Sequence, residues 1–476
     1  MNQHDTPLYT ALEMFYKRKP ISLHVPGHKN GLLMKNNNFF QGILHIDATE
    51  LTGLDDLHAP EGVIEKAETL LADVYNVSKS FFLVNGTTVG NLAMMLATLE
   101  EGEPVFIQRN CHKSILNGLE LTKANPVLLG PEYEREWKVA GGVTLETIKE
   151  AYERYPECRA IVLTYPNYYG MTYDLKEIIE FAHSHDIPVL VDEAHGAHFI
   201  GAEGFPPSAV QLGADVVVQS AHKTLPAMTM GSFLHINSQY VSTKRVAHYL
   251  GMLQSSSPSY PIMASLDLAR NYIGTYTKED ELYFKETVGH FKKELETLEF
   301  LKVLDYPNQN GDPLKLTIQS RCGYTGYELQ QFFEEKGIFS EMADPNNVLF
   351  VLPLLKKNDK FPFEDIIAKL KELPIRKKGS REDAHYFKKE RISTLYRVQS
   401  QKEELIPIQE SIGYICAETI IPYPPGIPLL LRGEKIAKAE VEGLLYLLES
   451  GARFQGGETL TEEKMKVFHK LEDNND

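Results

Sequence analysis

The sequence lacks a long apolar run and has few cysteines. No window approaches the roughly 18 consecutive apolar residues that span a bilayer. The N-terminal stretch MNQHDTPLYTALEMFYKRKP mixes acidic and basic side chains, unlike a secretory signal. The four cysteines lie far apart and form no CxxC pair. These absences argue against a membrane protein, a disulfide framework and a zinc site, and we expect a cytoplasmic protein.

The chain also lacks an excess of positive charge. Its formal net charge is -16 at pH 7. Nucleic-acid binding needs a clustered positive field for the phosphates, so the charge argues against nucleic acid as a partner. It fits a cationic substrate, although many soluble proteins are acidic. With 476 residues, of which 43% are apolar, the chain is long enough for two or three domains.

Short apolar runs alternate with amphipathic stretches in one long region. The runs are VFIQ (105–108), PVLLG (126–130), RAIVLTYP (159–166), PVLVDEAH (188–195) and ADVVVQ (214–219). Among the stretches between them, LKEIIEFAHSHD has its apolar residues at helical spacing. Apolar strands that alternate with helices predict an α/β domain with a mostly parallel sheet covered on both faces. Ligands of such sheets bind beyond the carboxyl ends of the strands.

The pattern changes beyond about residue 300. LEFLKVLDYP, LKLTIQS and NVLFVLPLL alternate there with the helix-like YELQQFFEEKG and FEDIIAKLKEL, which predicts a smaller α+β domain. We expect an N-terminal arm over 1–30, a large domain over 31–300 and a C-terminal small region over 301–476. The stretch RKKGSREDAHYFKKER (376–391) is dense in charge of both signs and predicts a solvated linker or surface.

Polar residues follow three of the predicted strands. QSAHKT places Lys223 after ADVVVQ, and PVLVDEAHG leaves Asp192 at the end of its strand. FFLVNGTTVGN runs from a strand through Gly86, Thr87 and Thr88 into a helix. A desolvated lysine or aspartate needs a partner or a reaction, and a glycine turn at a helix N-terminus suits a phosphate. Each feature alone is more often a cap or a turn.

Together, these features meet the requirements of pyridoxal 5'-phosphate. The phosphate needs donors, the pyridine nitrogen needs a counter-ion, and the aldehyde needs an amine. The turn at 86–88, Asp192 and Lys223 would supply them in that order. Ser220 and His222 flank the lysine and could donate to the phosphate, although His222 could equally be a satisfied histidine at the edge of the core.

A histidine follows another strand of the same sheet. RNCHKS brings His112 to the rim beyond VFIQ. An imidazole there could stack on a pyridine ring and exchange a proton with a substrate carbon. A lone histidine is more often structural, but this one lies at the carboxyl end of a relevant strand.

These segments resemble the ornithine/lysine/arginine decarboxylase family of fold type I pyridoxal-phosphate enzymes, in its short bacterial form. The similar segments are TPLYTAL, HVPGHKNG, LDDLHAPEGVI, NGTT, RNCHKS, VLVDEAHG, SAHK, SSSPSYPIMASLD and PYPPGIPLLLRGE. They extend over nearly the whole chain, and VDEAHG followed by S-x-H-K is specific in combination. The resemblance implies a large domain of the aspartate aminotransferase type with a smaller C-terminal domain, and a decarboxylase that uses pyridoxal 5'-phosphate.

The resemblance also implies roles for individual residues. Thr87, Thr88, Ser220 and His222 would bind the phosphate, Lys223 would form the Schiff base, Asp192 would pair with the pyridinium nitrogen, His112 would stack on the ring, and His195 would lie close to the cofactor. Ser255 in QSSSPSY would reach the phosphate of a second subunit. A homodimer with its active site at the interface is therefore implied.

The resemblance is closest to arginine decarboxylases at TPLYTAL, HVPGHK and LDDLHAPEG. It favours arginine over lysine or ornithine as the substrate, and hence an amine for polyamine biosynthesis. Acidic candidates for binding the distal group are Asp55, Asp56, Glu61 and Glu418. Taken singly, each is more often a surface or capping carboxylate.

The sequence departs from the family pattern at several positions. Short arginine decarboxylases usually read QGTS for NGTT, NPTYFG for YPNYYG, a Gly/Ser-rich run for TLPAMTMGS and PGE for RGE. Two alternatives therefore stay open. One is another reaction of the same cofactor, such as transamination or retro-aldol cleavage, and the other is a cofactor-binding relative without turnover. An aminotransferase would clamp the α-carboxylate with an arginine, for which Arg391, Arg397 and Arg432 are available.

The two histidines of HVPGHK (24–29) could suggest a metal site. No carboxylate or thiolate in the segment supports them. The segment therefore predicts a Pro-Gly turn near the mouth of the cofactor site, and we expect no metal.

Overall fold

The structure is a computed structural model that describes residues 1–34, 38–307, 310–376, 390–396, 402–423 and 426–468. Most of the charged stretch predicted as a linker, residues 377–389, lies outside the described residues. None of the described helices is both long and apolar enough to cross a membrane. The four cysteines are buried, and none of them forms a disulfide.

The large domain is built on a sheet with eight strands in the described part of the chain. In spatial order they are β1 (Lys79–Leu83), β9 (Ser232–Ile236), β8 (Val216–Gln219), β7 (Val189–Asp192), β6 (Ala160–Thr164), β2 (Pro104–Gln108), β3 (Asn125–Leu129) and β14 (Ile392–Thr394). The neighbouring strands β8, β7, β6, β2 and β3 are parallel to one another. Strand β9 is antiparallel to its neighbours β1 and β8, and strand β14 is antiparallel to β3. The predicted α/β domain with a mostly parallel sheet is confirmed.

Helices precede, connect and follow these strands. They are α1 (Pro7–Lys17), α2 (Asn38–Leu44), α3 (Val63–Tyr75), α4 (Gly86–Thr98), α5 (Lys113–Thr122), α6 (Leu145–Arg154), α7 (Leu175–His183), α8 (Ala209–Leu212), α9 (Ala221–Thr224), α10 (Thr243–Leu253), α11 (Tyr260–Gly274) and α12 (Lys278–Glu296). Successive strand residues point to opposite faces. Phe106 and Val191 accordingly belong to one apolar core, and Ile107 and Leu190 to another.

The antiparallel strand β9 was not predicted. It returns beside β8 through the single turn of α9 and a loop, without a crossover helix. The sequence analysis relied on the alternation of strands and helices, so a strand that no long helix precedes gave no signal.

Helix α4 lies close against the sheet, and two glycines make this possible. A Cβ on Gly90 would come within 2.5 Å of a Val218 methyl and 2.8 Å of a Leu83 methyl. Gly86, the first helical residue, has φ +74°, which side chains other than glycine rarely adopt. Together they bring the N-terminus of α4 to the carboxyl edge of the sheet.

The smaller α+β domain is also present. Its antiparallel sheet contains β10 (Leu301–Val303), β11 (Lys315–Ser320), β13 (Asn347–Val351) and β12 (Met342–Ala343), in that order. Its helices are α13 (Gly326–Glu335) and α14 (Phe363–Leu370). Strand β14 then returns to the large sheet, so the chain after residue 300 contributes to both domains. The boundaries at 30 and 300 stay predictions.

The remaining elements are short strands and one helix of 12 residues. They are β4 (Tyr133–Glu134) and β5 (Val139–Ala140), which form a hairpin, and, near the C-terminus, β15 (Glu404–Pro407), β16 (Ile415–Cys416), β17 (Ile421–Pro422), α15 (Lys438–Glu449), β18 (Phe454–Gln455) and β19 (Lys464–Phe468). The C-terminal elements enclose an apolar core of their own, which includes Leu444 and Val467.

A buried ion pair joins the RNCHKS and RGE segments. Arg109 donates from Nε and Nη2 to the two carboxylate oxygens of Glu434, at 3.1 and 2.6 Å. Its guanidinium also donates to the carbonyl oxygens of Pro428 and Leu429. A guanidinium that is paired with a carboxylate and two carbonyl oxygens fixes the C-terminal segment beside the end of β2.

Candidate active site

A cavity of about 420 Å3 lies at the carboxyl ends of β2, β6, β7 and β8. Parallel sheets bind ligands at this edge. The residues predicted for the site that line the cavity are Gly86, Thr87, Thr88, His112, Asp192, His195, Ser220, His222 and Lys223. The fold therefore brings together residues that are spread over more than a quarter of the chain.

One end of the cavity offers donors to an anion. Ser220 Oγ lies 3.0 Å from Thr87 Oγ1, so a hydroxyl of the first turn of α4 meets the hydroxyl of the N-cap residue of α9. The N-cap residue Asn85 makes no side-chain cap hydrogen bond among the described residues. The Gly86 N–H donates to the Met230 carbonyl oxygen at 2.9 Å, so the donors left for an anion are the N–H groups that follow it in the first turn of α4, where the helix dipole adds positive potential. This arrangement suits a phosphate.

His222 lies at the same end but is already partly engaged. Its Nδ1 is 3.0 Å from the carbonyl oxygen of Gly231, which can only accept, so Nδ1 carries a proton. Burial lowers the pKa of His222. Its Nε2 donates to a phosphate only in the imidazolium form, because the neutral ring has one N–H.

Asp192 is the last residue of β7 and is buried. Its Oδ2 accepts from Asn91 Nδ2 at 2.9 Å, and its Oδ1 accepts from the Ala194 N–H at 3.2 Å. Both donors are neutral. The carboxylate is therefore held in a fixed orientation with its charge available for a cationic partner, such as a pyridinium nitrogen.

His112 is the N-cap of α5. Its Nδ1 accepts from the Ser114 N–H at 3.2 Å, so in the neutral ring the proton is on Nε2. Burial lowers the pKa of His112, and the charge of Asp192 opposes that shift. The cap thus fixes both the orientation and the tautomer of the ring at the cavity.

Lys223 lies on α9, one short turn beyond β8. Its Nζ is 3.1 Å from His195 Nε2. Burial lowers the pKa of Lys223, against the opposing effects of Asp192 and Glu341. A buried lysine of lowered pKa is a nucleophilic amine nearer to neutral pH than an exposed one.

The sequence analysis did not single out two residues of the opposite wall. Glu341 precedes β12 and lines the cavity from the small domain. The Tyr168 hydroxyl donates to Glu341 Oε1 at 2.6 Å, and the Tyr168 ring packs against His195 with centroids 4.6 Å apart. Tyr168 falls in the YPNYYG departure, which was the available signal. No feature of the sequence pointed to Glu341, because only the tertiary fold brings this residue to the sheet edge.

Ser255 does not line the cavity of its own chain. It is exposed, its hydroxyl accepts from the Ser257 N–H at 3.2 Å, and its carbonyl oxygen is 2.9 Å from His58 Nε2. Its predicted contact belongs to a second subunit and stays a prediction.

The acidic candidates for substrate binding lie elsewhere. Asp55 accepts from the N–H groups of Gly62 and Ile64 at the start of α3, and Glu418 accepts from those of Gly457 and Lys466. These carboxylates accept hydrogen bonds from backbone N–H groups, as capping residues do. Asp56 and Glu61 do not line the cavity either.

The candidate arginines are also outside the cavity. Arg391 is 3.6 Å from Glu150, and Arg432 is 2.9 Å from Glu403. Arg397 lies outside the described residues. The described lining of the cavity therefore contains no guanidinium.

The HVPGHK segment does not reach this cavity. His28 Nε2 is 3.1 Å from Asp47, and His24 Nδ1 contacts the Val25 carbonyl oxygen. The prediction that the segment lies near the cofactor mouth is not met within one chain. In the described ranges, no cluster of three or more His, Cys, Asp or Glu side chains is placed to hold a metal ion.

Anion donors, a fixed carboxylate and a buried amine thus meet at one sheet edge, as pyridoxal 5'-phosphate requires. The fold and the site define a pyridoxal-phosphate enzyme of fold type I. The lysine decarboxylase LdcF of Francisella novicida has the same fold, with a TM-score of 0.79, 20% identity, and coverage of 98% of this chain and 81% of that one.

The particular family follows from sequence comparison. Residues 6–310 match the Orn/Lys/Arg decarboxylase major domain, and residues 386–462 match the C-terminal domain of that family. An arginine decarboxylase of Bacillus subtilis is 34% identical over 98% of this chain and 99% of its own length. An uncharacterised protein of the same organism, YaaO, is 46% identical over 98% of both chains. The chain belongs to the Orn/Lys/Arg decarboxylase family and is a pyridoxal-phosphate-dependent amino acid decarboxylase.

Proposed function

We propose that this enzyme decarboxylates a basic amino acid, with arginine favoured, and that the amine product enters polyamine biosynthesis. The observation that carries this proposal is the position of Glu341 on the cavity wall opposite the sheet, where its charge acts on Lys223. A carboxylate there suits a cationic distal group. The similarity to an arginine decarboxylase over nearly the whole chain supports arginine.

The site residues divide the work between holding the cofactor and moving protons. The N-terminus of α4, Thr87 and Ser220 would bind the phosphate. Asp192 would pair with the pyridine nitrogen and keep it protonated. When bound, the cofactor accepts the electron pair released as the α-carboxylate leaves as carbon dioxide. Lys223 Nζ or His112 Nε2 would return a proton to the α-carbon.

The composition of the cavity wall supports decarboxylation over transamination. A bidentate arginine clamp holds the α-carboxylate of a substrate that must keep it. The described lining offers no guanidinium for that purpose. An unclamped carboxylate can adopt the orientation in which its bond to the α-carbon breaks, and orientation decides which reaction follows.

We also propose a cytoplasmic homodimer whose active sites lie at the interface. Ile21, Leu23 and Phe39, three apolar residues of the N-terminal region, are 91%, 93% and 95% exposed. Exposed apolar clusters mark interaction surfaces, and a second copy of the chain is the partner that the predicted contact of Ser255 requires.

A complementation experiment tests the shared site. Lys223→Ala and Ser255→Asp would each be inactive, the second because its carboxylate repels the phosphate. In a mixed dimer, one of the two sites combines the intact Lys223 of the Ser255→Asp subunit with the intact Ser255 of the Lys223→Ala subunit. The other site carries both substitutions. Random mixing should restore about one quarter of wild-type activity. Mixtures that stay inactive, although subunits have exchanged, would contradict a shared site.

The reaction is tested by carbon dioxide release from arginine, lysine and ornithine, with the products identified by mass. We expect stoichiometric carbon dioxide and amine, fastest with arginine. A keto acid without carbon dioxide would indicate transamination. Binding of all three amino acids without turnover would leave a cofactor-binding protein.

A further inference from the structure

A second lysine lies behind the reactive one. Lys315 belongs to β11 of the small domain and is 4% exposed. Its Nζ is 3.1 Å from His195 Nδ1, while Lys223 Nζ is 3.1 Å from His195 Nε2. One imidazole ring therefore joins two amines that come from different domains.

The imidazole ring of His195 limits how many protons the two lysines and the ring can carry together. Burial lowers the pKa of His195 well below its ordinary value, and both neighbouring lysines lower it further, so the ring is neutral. A neutral imidazole has one N–H donor and one acceptor nitrogen. Two ammonium groups would need two acceptors. One of the lysines is therefore a neutral amine that accepts the imidazole N–H.

Two arrangements with one charged lysine satisfy this count. In one, Lys223 is charged and donates to Nε2, while Nδ1–H donates to neutral Lys315. In the other, Lys315 is charged and donates to Nδ1, while Nε2–H donates to neutral Lys223. A proton that leaves Lys223 Nζ for Nε2, as the Nδ1 proton moves to Lys315 Nζ, converts the first into the second. The ring is neutral before and after, and the total charge does not change.

We propose that Lys315 is a positioning residue that, through His195, takes up the proton of Lys223 and so presents Lys223 as a neutral amine. Only a neutral amine attacks an aldehyde. The inference rests on the proposed role of Lys223 as the amine that binds the cofactor. It adds a function for a small-domain residue that lies outside the motifs of the family resemblance.

The surroundings of Lys315 can hold the transferred proton. Burial lowers the pKa of Lys315 to about 8, while Asp312 and Glu341 act to raise it and the charge of Lys223 acts to lower it. The Tyr168 ring centroid is 5.5 Å from Lys315 Nζ and 6.0 Å from Lys223 Nζ. The ring face thus attracts whichever amine is charged.

The groups that face Lys223 act in both directions. Asp192 and Glu341 favour its charged form, and burial opposes it. The imidazoles of His112 and His222 also lie on this cavity, and the lysine charge disfavours protonation of both. Removal of Lys315 leaves the two carboxylates and both of these imidazoles in place, so the change in Lys223 isolates the effect of the second amine.

The pKa of Lys223 can be measured in the full-length chain freed of cofactor. Trace acetylation with acetic anhydride across a pH series, read by peptide mass spectrometry, gives the neutral fraction of each lysine. Lys315→Met should raise the pH at which Lys223 is half labelled by about 1 unit, because a like charge that shares its acceptor is lost. Lys302→Met is the matched control, since Lys302 lies on β10 of the same sheet and pairs with Glu136 at 2.6 Å.

Two further variants separate the proposal from a packing role. Lys315→Gln also removes the charge but keeps a polar group, and it should give the same rise even if the methionine variant does not fold. Lys315→Arg keeps a permanent cation beside Nδ1 and should retain the low wild-type value. A Lys223 titration that is unchanged in both the methionine and the glutamine variants would overturn the proposal. The labelling needs no cofactor or turnover, so its failure is distinct from failure of the proposed function.

Discussion

The two walls of the cavity differ in the groups that they present. On the large-sheet wall, Asp192 accepts from two neutral donors and Ser220 meets Thr87, so each group has a fixed partner. The small-domain side places the charged groups Glu341 and Lys315 at or behind the cavity wall. In the proposed function, the sheet edge holds the cofactor and returns the proton to the substrate, whereas the small domain binds the distal group and sets the charge state of Lys223.

The largest effect should follow from a change on the large-sheet wall. Asp192→Asn keeps the shape but removes the counter-ion of the pyridine nitrogen, and carbon dioxide release should fall by about 100- to 1000-fold at saturating cofactor. Asp186→Asn is the control, because Asp186 is exposed and its φ of +57° is one that asparagine tolerates. Wild-type turnover in Asp192→Asn would contradict the role of this wall.

A smaller and different effect should follow on the small-domain wall. Glu341→Gln removes the charge proposed to bind the distal group, and hydrogen bonds to charged groups contribute about 1.5–3 kcal/mol. KM for the basic amino acid should rise by about 10- to 100-fold, while the visible absorption of the bound cofactor stays unchanged. Glu334→Gln, an exposed change on α13, is the control. If Glu341→Gln instead lost the absorption band of the cofactor and kept the wild-type KM, the proposed division of roles between the two walls would be contradicted.

The smallest effect should come from one hydroxyl of the phosphate end. Thr87→Ala removes a single neutral hydrogen-bonding group, worth about 1 kcal/mol. Cofactor affinity should fall by about fivefold, as measured by recovery of absorption at increasing cofactor concentration, with KM for the amino acid unaltered. A variant that cannot bind cofactor at all would mean that the helix N-terminus contributes little.

The sequence predicted the sheet and its site because both depend on local patterns. Apolar strands end in polar residues, and parallel strands place their carboxyl ends at one edge, so Asp192 and Lys223 had to lie close together. The glycine turn at 86–88 predicted the phosphate end from the residues alone, and the family resemblance implies the same role for Thr87 and Thr88. The antiparallel strand β9 was missed because no long helix separates it from β8.

The opposite wall could not be predicted in the same way. Glu341 and Lys315 lie 118 and 92 residues beyond Lys223 in the chain, in a different domain. Neither belongs to a recognisable motif, and only the docking of the small domain onto the sheet edge brings them to the cavity. Asp55 and Glu418 were considered because they lie in family-like segments, but these carboxylates cap backbone N–H groups.

The identity of the lysine that binds the cofactor tests the account most directly. Reduction of the cofactor-loaded protein with borohydride fixes the pyridoxyl group on its amine, and peptide mass spectrometry locates it. We predict a single modified residue, Lys223, and loss of the visible band on reduction. Modification of Lys315, the other amine in contact with His195, would contradict the account.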